Sequence, residues 1–101
     1  MYARLARYQI SPERCEEAVE SFTNVVERLS GLRGLARGYV LLDPDEGKIL
    51  TLTVWADRAA VEESRSRASG LRQEAIRAVD GSVESVAEFT VALEFPTNDD
   101  A

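Results

Sequence analysis

Side chains that usually do chemistry are scarce in this sequence, and their pattern excludes more than it suggests. The 101 residues include no histidine and one cysteine, Cys15. Without an imidazole there is no near-neutral general base, no partner to activate a serine and none to draw Cys15 toward its thiolate. Cys15 falls on an apolar helical stripe and reads as packing. The same scarcity removes the usual transition-metal ligands, so neither a metal nor a cofactor is expected. The carboxylates Glu13, Glu16, Glu17 and Glu20, and the pair Glu62 and Glu63, lie off the apolar stripes. Glu63 precedes Arg67 in the favourable i,i+4 order of a surface pair, and both groups read as solvated faces. Gly31, Gly34 and Gly38 follow a helix and precede a strand. A dinucleotide loop needs the reverse order, which brings phosphate to a helix N-terminus. An arginine inside a pocket would stabilise an oxyanion. Because unpaired buried charge is costly, Arg4, Arg7 and Arg37, all on strands, are expected at an edge or rim.

Three candidates remain. Trp55, the only tryptophan, would form one wall of an aromatic pocket, or simply anchor the core. Tyr39 would donate a hydrogen bond to a ligand carbonyl, or sit in the core with its hydroxyl satisfied. Ser64, on the inner side of a helix, would leave space for a ligand, or only pack.

The elements that must position these residues follow from periodicity. Residues 2–10 alternate as a first strand. Ser11-Pro12 reads as an N-cap followed by proline at the first helical position, with Glu13 in the first turn where the helix dipole favours it. Cys15, Ala18, Val19, Phe22, Val25, Val26 and Leu29 form one apolar stripe. Ser30-Gly31 closes that helix. Residues 35–42 and 48–55 form a hairpin around the turn chemistry of Asp43-Pro44-Asp45-Glu46-Gly47. Asp57 caps a second helix carrying Ala60, Val61, Ser64, Ala68, Leu71, Ala75 and Val79; Ser69-Gly70 interrupts it and is read as a possible break. A long last strand, 82–95, places Val83, Ser85, Ala87, Phe89, Val91, Leu93 and Phe95 on one face and Glu84, Glu88, Thr90 and Glu94 on the other, which is mostly polar. Residues 1–96 are expected to form a single domain and 97–101 a short acidic tail.

The order β-α-β-β-α-β predicts an α+β, ferredoxin-like fold: an antiparallel sheet with both helices on one face. The hairpin, however, is apolar at both parities. Leu35, Tyr39, Leu41 and Ile49 fall on one, and Ala36, Val40, Leu42, Leu50, Leu52 and Val54 on the other. A half-solvated sheet should alternate, so a second copy is expected to cover the free face and make a homodimer. With 12 basic against 18 acidic residues and a net charge of -6, the chain lacks the cations that displace counterions from phosphates. Nucleic acid and anionic membrane are therefore not expected partners. No stretch approaches the ~20 apolar residues of a membrane span. Residues 1–7 show strand alternation rather than a signal peptide's apolar core, so the expected location is cytoplasmic.

The segment Leu52-Thr53-Val54-Trp55-Ala56-Asp57-Arg58-Ala59-Ala60-Val61-Glu62-Glu63-Ser64, with Gly34 and Tyr39, resembles the antibiotic-biosynthesis-monooxygenase-like (ABM) family of dimeric α+β barrel proteins. The order of elements matches over about residues 2–95. Ser64 stands where many members carry histidine, and Ser69 lies near a second such position. Haem-degrading members use an asparagine on the first strand, a second tryptophan and a helical histidine. This sequence offers no asparagine there, Ser64 in place of the tryptophan and Glu74 near the histidine position, so that activity is not expected. What the resemblance implies is a cofactor-independent monooxygenase-like protein acting on a small aromatic or quinol-type molecule, with Tyr39, Trp55 and Ser64 as candidate catalytic and ligand-binding residues. The substrate itself would supply the electrons to dioxygen. The alternative is a non-catalytic dimeric domain that binds a small ligand or serves a structural role. Either way, the ligand is expected beside Trp55, between the sheet and the second helix, with the Ser69-Gly70 break letting that helix move.

Overall fold

The computed structural model describes residues 1–96; the expected acidic tail, 97–101, lies outside them. Four strands, β1 (Tyr2–Gln9), β2 (Leu35–Asp43), β3 (Lys48–Trp55) and β4 (Ser82–Thr90), form one antiparallel sheet in the order β2-β3-β1-β4. Helices α1 (Cys15–Leu29) and α2 (Arg58–Arg77) complete the β-α-β-β-α-β order predicted above. The core lies between helices and sheet. Ala6, Tyr8 and Ile49 meet Cys15, Ala18, Phe22 and Val25 of α1 and Leu71, Ala75 and Ile76 of α2. A smaller cluster gathers Trp55, Ala60 and Val61 where β3 enters α2.

Local details depart from the sequence reading in four places. Pro12 opens a 3₁₀ turn, Pro12–Arg14, and α1 begins only at Cys15; the Ser11 side chain makes no capping bond. The α2 helix runs unbroken through Ser69-Gly70, because a glycine weakens a helix without removing its hydrogen bonds and the flanking Ala68 and Leu71 are buried. The last strand stops at Thr90, not near 95. Its only neighbour is β1, where Tyr2 pairs with Thr90; Val91 N–H still reaches Met1 O at 2.9 Å, and beyond it β1 offers nothing to pair with. Finally, the β1–β4 register shifts between Arg7 and Tyr8. That shift places Val83 opposite Tyr8 against the core, while Phe89, opposite Ala3, lies on the sheet's other face. The apolar parity of the last strand is thereby divided between two faces.

That other face carries no element of the described residues. It presents Tyr39 and Leu41 of β2 and Phe89 of β4, all exposed, around the half-buried Leu5, Leu50, Leu52 and Val54. Among the described residues no helix is long and apolar enough to cross a membrane.

Two glycines mark opposite backbone demands. Gly34 has φ +83°, and a Cβ there would stand 2.3 Å from the Ala60 Cβ; its absence lets the start of β2 tuck under α2, where Ala56 N–H donates to Gly34 O at 2.8 Å. Gly70, mid-helix, has open space where its Cβ would be. Gly34→Ala is expected to destabilise by about 1–3 kcal/mol through overpacking. Gly70→Ala is expected to stabilise by about 0.5–1 kcal/mol. Urea unfolding midpoints check both, and a neutral or destabilising Gly70→Ala would contradict the continuous helix.

Candidate functional site

Tracing which residues of β1 face inward locates the site. Alternation places Arg4, Ala6 and Tyr8 on the helix side, and all three are buried, Arg4 with only 3% of its surface exposed. The expectation that Arg4 sits at a rim is therefore overturned, whereas Arg7 and Arg37 are exposed as expected. The cost of burying Arg4 is met by partners on three sides. Its Nε and Nη2 donate to Glu88 Oε2 at 3.2 and 2.9 Å, Nη1 to Ser64 Oγ at 3.2 Å and Nη2 to Val61 O at 3.0 Å. Its Cζ lies 5.3 Å from the centre of the Trp55 ring, a cation–π distance. Those bonds occupy four of the guanidinium's five N–H groups.

Glu88 is shared. Arg65 grips it from the solvent side, Nη2 to Oε1 at 2.6 Å and Nε to Oε2 at 3.1 Å. The Arg65 hydrogen bonds, reinforced by those of Arg4 and opposed by burial, hold the Glu88 carboxyl down from the ordinary 4.5 to about 2.

In front of Arg4 is a cavity of about 440 Å³. One wall is α1, with Phe22, Val25, Val26 and Leu29; the other is the helix-facing side of β1, β2 and β3, with Arg4, Gly38, Val40, Thr51 and Thr53. Arg72 of α2 reaches it as well. Small residues create the space: Gly38 and Thr53 pair across the strands, as do Val40 and Thr51. Residues 36–40 of the edge strand β2 are exposed, so the mouth opens there. Thr51 Oγ1 is hydrogen-bonded to the Tyr8 hydroxyl at 3.0 Å. Burial pushes the Tyr8 phenol above its ordinary pKa, which excludes it as a base at neutral pH.

Of the three residues singled out from sequence, Trp55 and Ser64 are brought together around Arg4, and Tyr39 stands apart. Trp55 is fully buried, packed on Ala60 and Val61, with its Nε1–H donating to Thr53 Oγ1 at 2.9 Å. Ser64 is buried, accepts from Arg4 and donates to Val61 O at 2.9 Å. Neither lines the cavity; the space expected between Trp55 and α2 is filled, and the open volume lies on the α1 side instead. Tyr39 belongs to the lining at the β2 edge, but it pairs with Leu52. Alternation therefore directs its side chain to the opposite face, where it is 51% exposed.

The sequence reading assigned Arg4 to a rim and passed over Arg72, although both left a signal. Arg4 shares the parity of Ala6 and Tyr8, an inward position on an otherwise apolar row. Arg72 completes the i, i+3, i+4, i+7 set Ala68, Leu71, Arg72, Ala75, the inner stripe of a helix. Among the described residues no group of three or more His, Cys, Asp or Glu could hold a metal ion.

The first 72 residues match the model of a family described as antibiotic biosynthesis monooxygenase. Solved structures share the fold at low identity. SnoaB, a cofactor-independent oxygenase from Streptomyces nogalater, superposes with a TM-score of 0.73 at 19% identity over 95% of this chain and 97% of its own. A candidate antibiotic biosynthesis monooxygenase from Deinococcus radiodurans gives 0.75 at 13% over 97% and 99%. Rv0793 from Mycobacterium tuberculosis gives 0.70 at 16% over 92% and 96%. No curated protein matches the chain in sequence.

The depressed Glu88 carboxyl predicts an acid sensitivity with a defined sign. A carboxyl held low in the folded state adds stability that is complete above its unfolded pKa and is lost as the pH falls toward its folded value. Glu88→Gln is expected to be less stable than wild type at neutral pH, with the difference shrinking between about 4.5 and about 2. Thermal midpoints across that range check it; a difference independent of pH would contradict the ion-pair account.

Proposed function

This chain belongs to the antibiotic biosynthesis monooxygenase family, and from that premise we propose that it is a cofactor-independent monooxygenase-like protein whose substrate is a small aromatic or quinol-type molecule held in the cavity between α1 and the sheet. One observation carries the reading: a mostly apolar cavity of about 440 Å³ with the buried Arg4 among its lining residues. Such a volume suits a small planar ligand, and a bound ring system would displace water from its apolar walls.

The proposed division of labour follows from the contacts. Phe22, Val25 and Leu29 hold the ring system. Arg4 stabilises the oxyanion that forms when a phenolic or enolic substrate gives up its proton, using the N–H its partners leave over. Trp55 and Ser64, the candidates read from sequence, act as positioning residues behind Arg4. Tyr39 stands at the rim on the sheet's open face. For an anthrone-type substrate, a ring CH₂ becomes C=O; one atom of dioxygen enters the product and the other leaves as water, with all four electrons drawn from the substrate. No histidine is available to remove the proton, and Tyr8 is pushed the wrong way. The substrate's own acidity, raised beside Arg4, sets the anion concentration.

The same lack of a base favours the second reading, a non-catalytic small-ligand-binding or structural domain. Oxygen uptake with a panel of anthrones and hydroquinones decides. The monooxygenase reading expects uptake with water as the reduced product, a pH–rate midpoint that moves with the substrate's pKa, and a fall of about 10²-fold for Arg4→Met. No uptake across the panel supports the binding domain.

The unit is proposed to be a cytoplasmic homodimer formed across the open sheet face, with Tyr39, Leu41 and Phe89 at the contact. An interface of that kind should bury more than about 1,200 Å² in total. Sedimentation at micromolar concentration is expected to give twice the 11.2 kDa chain mass; a monomer alone would refute it.

A further inference from the structure

Arg72 differs from Arg4, the buried cation at the cavity. Arg4 is held by Glu88, Ser64 and the Val61 carbonyl, whereas Arg72 makes no hydrogen bond and no ion pair among the described residues. It is half-buried, and its side chain lines the cavity. Two guanidinium-bearing residues from the helix side of the sheet, Arg4 and Arg72, border the cavity, and its lining carries no carboxylate; Arg37 of the lining pairs with Val54, so alternation directs its side chain to the sheet's other face. Behind it, the single carboxylate of Glu88 is bonded to both Arg4 and Arg65 and acts on Arg72 only through space. A chain of net charge -6 thus keeps two arginines, Arg4 and Arg72, at a cavity whose lining carries no carboxylate.

We propose that the cavity's ligand is an aromatic acid, a planar apolar ring system bearing one carboxylate, and that Arg72 is the residue that selects it. The inference rests on the reading of this cavity as the ligand site and adds the ligand's charge. A guanidinium in an apolar surround is costly when unpaired. Here burial, aided by the Arg4 charge and opposed by Tyr8 and Glu88, lowers the Arg72 pKa, and an anion bonded to the guanidinium would offset both the burial and the repulsion. The planar fork of Arg72 accommodates a carboxylate through two parallel N–H···O bonds, while Phe22, Val25 and Leu29 take the ring. Arg4 keeps its place toward the reacting oxygen. The two guanidiniums therefore have separate tasks: Arg72 recognises a charge the ligand carries permanently, and Arg4 responds to one that develops.

Calorimetric titration with 2-naphthoate and its neutral counterpart 2-naphthamide tests this without turnover. Wild type is expected to bind the acid at least about tenfold more tightly than the amide, the discrimination of one charge-assisted bidentate pair. Arg72→Leu is expected to bring the acid down to the amide's affinity while leaving the amide unchanged. Arg67→Leu removes the same charge from the exposed side of α2 and should leave the preference intact. Should Arg72→Leu not fold, Arg72→Gln replaces it, and the wild-type ratio alone still decides. Equal affinity for acid and amide, or a preference that survives the loss of Arg72, overturns the assignment of charge and leaves the cavity reading standing. Binding of neither compound overturns both.

Discussion

The arrangement around Arg4 constrains more of this molecule than any other contact. A guanidinium on the inward row of β1 has to be desolvated, and a charge in that position is tolerated only when nearly every donor is met. The partners come from widely separated parts of the chain: Glu88 on the neighbouring strand β4, Ser64 and the Val61 carbonyl on α2, and the Trp55 ring at the end of β3. One side chain of β1 thus ties its own strand to two others and to one helix. Arg65 extends the tie to the surface by closing over Glu88 from outside. Because each partner is fixed elsewhere in turn, Ser64 by the Val61 carbonyl and Trp55 by Thr53, the guanidinium has one orientation, which any ligand in the cavity would meet.

The same constraint explains why the space lies where it does. On the α2 side of the sheet, Trp55, Val61 and Ala60 fill the volume and brace Arg4. On the α1 side, Gly38, Thr51 and Thr53 present little bulk, and Phe22, Val25 and Leu29 cannot close the gap from the helix. Elsewhere the polar interior is fully satisfied: no buried side-chain nitrogen or oxygen lacks a partner among the described residues.

The helix-free face of the sheet obeys a different rule. Tyr39, Leu41 and Phe89 stand exposed beside half-buried Leu50, Leu52 and Val54, and the chain past Thr90 carries the exposed Leu93 and Phe95. Apolar surface gathered this way marks an interaction site more often than scattered exposed residues do. The two faces therefore differ, one enclosing the cavity and the other presenting apolar side chains that no element of the described residues covers.

Much of this was legible in the sequence, because periodicity is a local property. The alternation of β1, the stripe of α1, the Asp57 cap with its 2.7 Å bond from Ala60 N–H and the hairpin around Gly47 each depend on residues close together in the chain, and they sufficed for the element order and the fold class. The lack of histidine likewise excluded whole classes of catalysis without any coordinates. What tertiary structure alone decided was pairing between distant residues. That Glu88 meets Arg4 depends on the β1–β4 register, shifted at Arg7/Tyr8, and no local pattern encodes that shift. That Trp55 is packed while Gly38 opens a cavity depends on how far α1 and α2 stand from the sheet, a sum over many side chains. Whether an arginine is a rim charge or a buried donor is set by whether partners arrive from elsewhere in the chain, so Arg4 and Arg72 gained their significance only once the chain was folded around them.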